Sequence, residues 1–282
     1  MSWNELGAVP PAELVDARLQ LHQAAQVVAS AGTTFLEPQP DDSHPNFGWA
    51  QPVGALLGRT LPGANVRVGL RVSDLTLLLV DRNGSVGDEL ALHGKTLVDA
   101  YGWLAKATTN AGAELPTRGI TRSSYEIPKH ATAEGAPFSS ASRDALAELA
   151  RWFANGFEVL TALAAQMPGA SEVRCWPHHF DVGALASLET RPDGSLAKSI
   201  GLGLSPGDAS YAEPYWYVSP WPYPAPSELP VLDNGGHWHA EGFTSAILTG
   251  SELIAGPPDS QSERLHAFLD SAVAASRHAL AG

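Results

Sequence analysis

The segment that decides the fold is residues 66–80, which read VRVGLRVSDLTLLLV. In its first half, apolar residues occupy every second position and alternate with Arg67, Gly69 and Arg71. Because successive side chains of a strand point to opposite faces, this alternation predicts a half-buried β-strand. The leucine-rich second half follows a tight turn at Ser73-Asp74, so it predicts an antiparallel partner strand.

Helical patterns lie on both sides of this hairpin. Apolar residues at three- and four-residue spacing predict helices over residues 11–31 and 95–110. The same spacing predicts a long helix that Ser142 caps and Pro168-Gly169 ends, and a last helix over residues 259–281. The hairpin is therefore expected to lie between helices in the chain.

Two regions carry turn-forming residues instead of a periodic pattern. Residues 33–64 are rich in Pro, Gly and Asp and predict a long loop, and residues 113–140 predict a turn-rich crossing between two halves of the chain. Strand patterns return at residues 185–188, 200–204 and 215–219. A sheet is therefore expected in the second half as well.

The order helix, sheet, helix thus occurs twice. It predicts an α+β fold with mostly antiparallel sheets, in which two similar halves, residues 11–112 and 140–282, arise from an internal duplication. Both halves place a turn rich in Pro or Gly between two strands and end in a helix of similar length. We expect them to form one α+β unit over residues 1–282.

Composition narrows the function classes. The 282 residues carry a formal net charge of −13, which argues against binding to nucleic acid or to anionic membranes. The single cysteine excludes an internal disulfide and fits a reducing compartment. The first residues lack the pattern of a secretion signal, and the longest apolar run is too short for a bilayer. We expect a soluble cytoplasmic protein, and the oligomeric state does not follow from the sequence.

The strongest functional signal is residues 237–241, which read HWHAE. His237, His239 and Glu241 stand at every second position, so on an extended strand all three side chains point to the same side. Two imidazoles and one carboxylate with open positions are a common frame for a reactive metal ion. The pattern predicts a divalent metal site, with zinc or Fe(II) as the first candidates.

A second group of possible metal ligands lies at residues 175–181, which read CWPHHFD. On an extended segment His179 and Asp181 share one face, and His178 shares the other with apolar groups. Pro177 can disturb this alternation, so either His178 or His179 is a possible ligand beside the 237–241 motif. Asp181 is a ligand, a partner that orients an imidazole, or a catalytic acid or base.

These groups predict a metal-dependent enzyme that acts on a small organic molecule, with Glu241 and Asp181 as its catalytic carboxylates. Two other interpretations stay open at this point: a polar network that only stabilises the fold, and acid–base chemistry without a metal. A further alternative is a non-catalytic module that binds a small ligand in an aromatic cleft.

Aromatic residues accompany the possible ligands. Tyr215 and Tyr217 share one face of a predicted strand, and Trp176 and Trp238 lie inside the two histidine-containing segments. They either pack in the core or line a pocket for a partly apolar ligand, and we assign all four as candidate substrate-binding residues. Residues 203–207, GLSPG, match the nucleophile-elbow pattern, but a loop and not a helix is predicted after them, which disfavours a serine hydrolase.

Three features together resemble a bacterial family of unknown function. They are Val173 leading into Trp176 and Phe180-Asp181, the strand Tyr215-Trp216-Tyr217 followed by Pro220 and Pro222, and the closing helix around Phe268-Leu269. The resemblance runs through most of the chain and implies a shared fold without an established activity. Small residues often occupy the positions of His178 and His179 in that family, so the resemblance implies that a metal site would mark a specialised subgroup.

Overall fold

The computed structural model describes residues 3–281 and gives an α+β protein, which confirms the predicted fold class. Its described residues form five α-helices. They are α1 (Val15–Phe35), α2 (Leu97–Asn110), α3 (Arg143–Ala164), α4 (Gly250–Ile254) and α5 (Gln261–Ala281). The four long helices coincide with the four predicted ones, although α3 ends at Ala164, before the predicted stop at Pro168.

The strands form two mostly antiparallel sheets, as predicted. The first has the order β1-β2-β3-β4-β5 and the second the order β10-β11-β9-β8-β7-β6. The strands of the first sheet are β1 (Gly48–Ala50), β2 (Ala55–Leu57), β3 (Val66–Arg71), β4 (Thr76–Asp81) and β5 (Val86–Ala91). Those of the second are β6 (Arg174–Trp176), β7 (Asp181–Thr190), β8 (Leu196–Ser205), β9 (Tyr215–Trp221), β10 (His237–His239) and β11 (Ser245–Thr249).

The chain divides into two compact units. The first unit comprises Glu13–Ala150 and Arg174–Phe180. The second unit comprises, within the described residues, 3–12, Arg151–Val173 and 181–281. Each unit contains helices and strands, and the internal duplication stays a prediction.

The hairpin of residues 66–80 forms the centre of the first unit. β3 and β4 pair antiparallel along their whole length, for example Val68 with Leu79 and Leu70 with Leu77. The turn between them ends at Leu75, whose φ of 55° places it in the left-handed region. Burial exceeds the predicted alternation, because four small or branched apolar residues pack on the other face too: Ala55, Leu57, Leu78 and Val80.

The predicted loop over residues 33–64 is wrong in part. Helix α1 extends to Phe35, and two three-residue strands, β1 and β2, pair antiparallel within the expected loop. Gly54 lies between them at φ 58°, a conformation that favours glycine and lets the chain reverse. A strand of three residues is too short to show a period in the sequence. β1 and β2 are recognised only from their pairing with each other and from the pairing of β2 with β3.

Helix α1 carries an unusual row of buried polar side chains. They repeat every fourth residue and therefore share one face of the helix: Arg18, His22, Gln26, Ser30 and Thr34. Side chains of this row form hydrogen bonds with the backbone of an irregular segment of the first unit. The amide N–H of Thr121 donates to Oγ1 of Thr34 at 2.9 Å, and that of Ser123 donates to Oγ of Ser30 at 3.0 Å. Residues 113–140, predicted as turn-rich, indeed have no long regular element.

The second unit is built on the long hairpin β7–β8 and on β9, which pairs with β8 and β11. The register separates two faces of this sheet. One face is apolar and includes Leu204 paired with Trp216 and Leu202 paired with Val218, with helix α5 packed against β9. The other face carries Tyr215, Tyr217 and Ser219. No helix within residues 3–281 is long and apolar enough to cross a membrane.

Candidate functional site

The candidate site of the second unit starts at the edge strand β10. His237 pairs with Ile247 of β11, and Ile247 pairs with Tyr217 of β9. Paired residues of antiparallel strands point to the same face, so His237 and His239 share a face with the tyrosines, as the alternation predicts. The strand ends at His239, however, and Glu241 lies in the bend that follows. Strand alternation therefore does not place the Glu241 carboxylate beside the imidazoles.

Both imidazoles contact the same phenol. The hydroxyl of Tyr211 lies 2.9 Å from Nε2 of His237 and 3.1 Å from Nδ1 of His239. The three side chains are half-buried or exposed, so solvent reaches this cluster. We call Tyr211, His237 and His239 the edge cluster.

The outer nitrogen of each imidazole faces an oxygen. Nε2 of His239 lies 2.8 Å from the backbone carbonyl of Glu241, to which only an N–H can donate. Nδ1 of His237 lies 3.9 Å from a carboxylate oxygen of Glu252. Oxygen acceptors on the outer nitrogen are a regular feature of metal-binding histidines, because they fix the tautomer and turn the other nitrogen's lone pair inward.

The hydrogen bonds of the edge cluster limit which ring nitrogens of its histidines carry a proton. When a neutral His239 donates its Nε2–H to the backbone carbonyl of Glu241, its Nδ1 accepts a hydrogen bond from the Tyr211 hydroxyl. His237 must then donate from Nε2 to the same phenol oxygen, or carry its proton on Nδ1 toward Glu252. In the second tautomer a lone pair on Nε2 points at Tyr211, and only a cation or a second proton satisfies it.

The surroundings of the edge cluster are acidic. Burial is the main cause that raises the pKa of the Tyr211 hydroxyl above its ordinary value. Three carboxylates raise this pKa further: Asp208, Glu252 and Glu241. A negative potential of this kind favours a bound cation.

Two tyrosine–carboxylate pairs lie on the same sheet face. Tyr215 donates to Oδ2 of Asp208 at 2.6 Å, and Tyr217 donates to Oδ2 of Asp181 at 2.5 Å. Burial and the Asp208 carboxylate raise the pKa of Tyr215, so this hydroxyl keeps its proton and acts as a donor. The ring of Tyr217 lies directly over β8, because a Cβ built on Gly203 would come within 2.1 Å of its Cζ atom. Glycine at this position makes room for the ring.

Trp238, a candidate substrate-binding residue, does not share a sheet face with the tyrosines. Trp238 pairs with Ala246, which pairs with Val218, so Trp238 lies on the apolar face opposite Tyr215 and Tyr217. Its indole Nε1 donates to the carbonyl of Pro230 at 2.7 Å. The same alternation that places the two histidines together sends the residue between them to the other side.

The extended conformation predicted for residues 175–181 is also wrong. Strand β6 ends at Trp176, and the next residues form a turn in which the N–H of Phe180 donates to the carbonyl of Trp176 at 2.6 Å. Phe180 itself is buried with φ 61°, a region that non-glycine residues rarely adopt. Strand alternation therefore does not decide between His178 and His179 as a ligand.

The histidines of this turn belong to an aromatic group of the first unit. The ring of His178 lies 4.3 Å from that of His179, 5.4 Å from that of Tyr125 and 6.0 Å from that of Trp176. His178 is half-buried and His179 is exposed. Trp176, assigned as a substrate-binding residue, thus contacts a histidine of its own turn.

A preformed site of three or more His, Cys, Asp or Glu side chains able to hold a metal ion is not found anywhere between residues 3 and 281. The predicted ligand set of His178 or His179 with His237, His239 and Glu241 joins residues of different units and stays a prediction. The described geometry of the second unit instead adds Tyr211, a residue type outside that set.

Three residues of the site do not emerge from the sequence patterns: Tyr211, Asp208 and Glu252. A local signal for Tyr211 exists, because Asp208 accepts hydrogen bonds from the backbone N–H groups of Ser210 and Tyr211 at 2.8 and 3.0 Å. Asp followed by small residues is typical of such turns. Ser205 of the elbow pattern is buried, accepts from the N–H of Gly207 at 3.1 Å, and no helix follows it, in agreement with the sequence analysis.

A scan against protein-family models and searches of curated proteins and of solved structures found no match to this chain. The predicted resemblance to a bacterial family therefore stays a prediction, and the function must be argued from the geometry of the site.

Proposed function

We propose that the second unit binds a divalent transition metal through His237 and His239, and that the protein is a metal-dependent enzyme acting on a small organic molecule. One observation carries the proposal. Both imidazoles have an oxygen beside the outer nitrogen and direct the inner nitrogen at one phenol oxygen. Random surface histidines have no reason to converge in this way.

The electrostatics of the edge cluster support a cation. The carboxylates of Asp208, Glu252 and Glu241 raise the pKa of Tyr211, which indicates a negative potential at its hydroxyl. Imidazole together with oxygen ligands suits zinc or Fe(II). A metal held here would polarise a substrate oxygen or activate water or dioxygen. Glu241 is exposed on the bend after His239, where its carboxylate is available as a base.

The neighbouring sheet face supports a small-molecule substrate. Ile247 separates His237 from Tyr217 in the register, and the ring of Tyr211 packs against that of Tyr215, so the sheet face with the tyrosines adjoins the edge cluster. Tyr217 is half-buried, whereas Tyr215 is only 5% exposed and serves mainly to support its neighbours. Asp181 accepts a hydrogen bond from the Tyr217 hydroxyl and supplies a carboxylate to this part of the sheet.

A second candidate function is a metal-free binding module. It is favoured by the chain of hydrogen bonds from His237 through Tyr211 and His239 to the Glu241 carbonyl, which satisfies every inner nitrogen without an ion. In this case the histidines only shape the wall of a ligand site.

The test uses the full chain purified without a histidine tag, stripped of metal and then dialysed against zinc or, without oxygen, against Fe(II). We expect about one ion per chain in the wild type by elemental analysis, and background values in the double variant His237→Ala, His239→Ala. His278→Ala is the matched control, because it removes an exposed histidine of the same unit from helix α5.

Circular dichroism checks that the double variant keeps its fold, which we expect because His237 is exposed and His239 is only half-buried. Equal metal content in the wild type and in the folded double variant would overturn the metal proposal and favour the binding module. Loss of metal in His278→Ala as well would point to non-specific binding and would also count against it.

A further inference from the structure

We propose that Tyr211 is the third protein ligand of the metal, through its phenol oxygen. This inference rests on the proposed function, because it names a ligand of the same site. It differs from the ligand set predicted from the sequence, in which Glu241 and a histidine of residues 178–179 completed the coordination.

The distances fit a coordination shell. Two ligand atoms that each lie about 2.05 Å from an ion are about 2.9 Å apart at an angle of about 90° and about 3.3 Å apart at the tetrahedral angle. The Tyr211 oxygen lies 2.9 Å from Nε2 of His237 and 3.1 Å from Nδ1 of His239. These two distances are thus those expected between neighbouring ligand atoms of one first-row metal.

The same lengths are those of ordinary hydrogen bonds, so the directions of the nitrogens matter too. His239 keeps its proton on Nε2 for the Glu241 carbonyl, which leaves Nδ1 as a lone pair on the inner side. At His237 the Glu252 carboxylate lies 3.9 Å from Nδ1, and its negative charge favours the tautomer with the proton on that nitrogen and the lone pair of Nε2 on the inner side. One hydroxyl proton cannot fill two inward lone pairs, whereas one metal ion can.

Tyr211 is held in place by contacts that do not involve the histidines. Its backbone N–H donates to Oδ1 of Asp208 at 3.0 Å, and its carbonyl accepts from the N–H of Asp208 at 2.7 Å. Its ring packs against that of Tyr215 with the centroids 4.9 Å apart. The phenol oxygen is therefore positioned before any ion arrives, which lowers the entropy cost of binding.

The binding step balances simply. The O–H bond of Tyr211 breaks, an oxygen–metal bond forms, and the proton passes to solvent, which reaches the half-buried side chain. The charge of the ion offsets the burial and the carboxylates that raise the pKa of this hydroxyl. No electron is transferred, and neither an oxidant nor a further reactant is needed. The two imidazoles bind through Nε2 of His237 and Nδ1 of His239, in the tautomers that carry the proton on the other ring nitrogen.

Copper(II) is the probe for this ligand, because a phenolate bound to it gives a charge-transfer absorption band in the visible region. The metal-free chain without a tag is titrated with Cu(II) and followed by absorption and by resonance Raman scattering excited in that band. We expect a band with phenolate vibrations in the wild type, and no band with at least about tenfold weaker binding in Tyr211→Phe. Tyr223→Phe, at a 47% exposed tyrosine of the same unit, should behave as the wild type.

The outcomes separate the two proposals. Copper binding by the wild type without phenolate vibrations, or a Tyr211→Phe variant that keeps the band, would overturn the role of Tyr211 and leave the histidine site standing. Absence of binding in the wild type would overturn both. A wild-type spectrum without phenolate vibrations overturns the role of Tyr211 whether or not Tyr211→Phe folds, and loss of the band in Tyr211→Phe but not in Tyr223→Phe assigns the band to Tyr211.

Discussion

His22 in the first unit and His239 in the second make the same kind of hydrogen bond and yet lie in different environments. Each imidazole gives one N–H to a backbone carbonyl: His22 to Pro177 at 2.9 Å and His239 to Glu241 at 2.8 Å. His22 is 4% exposed and its ring stacks on Phe180 at 5.0 Å. The remaining nitrogen of His239 instead faces Tyr211 near the surface. The hydrogen bond fixes a tautomer in both cases, and the environment of the rest of the ring decides whether it packs or binds.

The difference has a structural cause. His22 belongs to the buried polar row of α1, and the Phe180 turn folds over it with a positive φ. Burial lowers the pKa of His22 from 6.5 to about 4, so the imidazole is neutral in the folded protein at neutral pH. His239 lies on an edge strand, where one neighbour is β11 and the other side of the strand is not paired in the sheet order. An imidazole on an edge strand can keep one nitrogen available for a ligand.

The largest expected effect comes from exchanging a histidine of each unit for alanine, one at a time. His22→Ala should lower the free energy of unfolding by roughly 3 kcal/mol, because it leaves a cavity and removes one of the two buried donors to the Pro177 carbonyl, the other being Gln26. His237→Ala, at an exposed ring, should change it by less than about 0.5 kcal/mol. Urea unfolding measures both. Equal losses in the two variants would contradict the division into a packing and a binding histidine.

The pH dependence of stability sharpens the same contrast. Because the pKa of His22 is about 4 in the folded protein and 6.5 for a solvated imidazole of the unfolded chain, the unfolded chain binds more protons between these values. Stability therefore falls as the pH falls through this window. At about 1.4 kcal/mol per pKa unit, the loss between about pH 7.5 and about pH 4.5 is roughly 2.5 kcal/mol.

His22→Gln is the control for this pH effect. Its amide can still donate to the Pro177 carbonyl but does not titrate, so the variant should lack this part of the loss. Carboxylates titrate in both proteins and cancel in the difference. Parallel pH profiles for the wild type and His22→Gln would show that His22 is not buried as a neutral ring.

A smaller effect is expected from the tyrosine–carboxylate pair beside the edge cluster. Tyr217→Phe removes the hydroxyl that donates to Asp181 at 2.5 Å, and hydrogen bonds to a charged group contribute about 1.5–3 kcal/mol. We expect a loss of about 1.5 kcal/mol in urea unfolding and none for the exposed Tyr223→Phe. An unchanged stability of Tyr217→Phe would mean that this hydroxyl does not stabilise the fold.

The sequence predicts those parts of the fold whose signal is local and repeated. The β3–β4 hairpin and the long helices have many residues on one period, so their burial and pairing follow from alternation alone. β1 and β2 have three residues each, and they depend on the pairing of β1 with β2 and of β2 with β3, which no local period records. Strand alternation does not predict the turn at Pro177–Phe180. In this turn Phe180 has a positive φ and its ring packs against His22, a residue far away in the sequence.

The candidate site also has a part that local sequence patterns predict and a part that they do not. His237 and His239 share a face because the strand period is local, and the sequence predicts this correctly. Tyr211 joins them only because a turn at Asp208 and the packing against Tyr215 place it there, about 26 residues before His237 in the chain. Trp238 does not share the face of the tyrosines because residues adjacent in sequence point to opposite faces of a strand.

The smallest expected effect tests Glu241, whose two polar groups have separable roles. Glu241→Gln keeps the backbone carbonyl that accepts from His239 at 2.8 Å and removes only the charge of the exposed side chain. We expect about tenfold weaker zinc binding by calorimetry, because a nearby carboxylate supports the bound cation, and unchanged stability. Glu189→Gln removes the same charge from an exposed site of β7 and should leave the affinity unchanged. Equal affinity in both variants would assign the contribution of Glu241 to its carbonyl alone, and the edge cluster would then need only the backbone at that position.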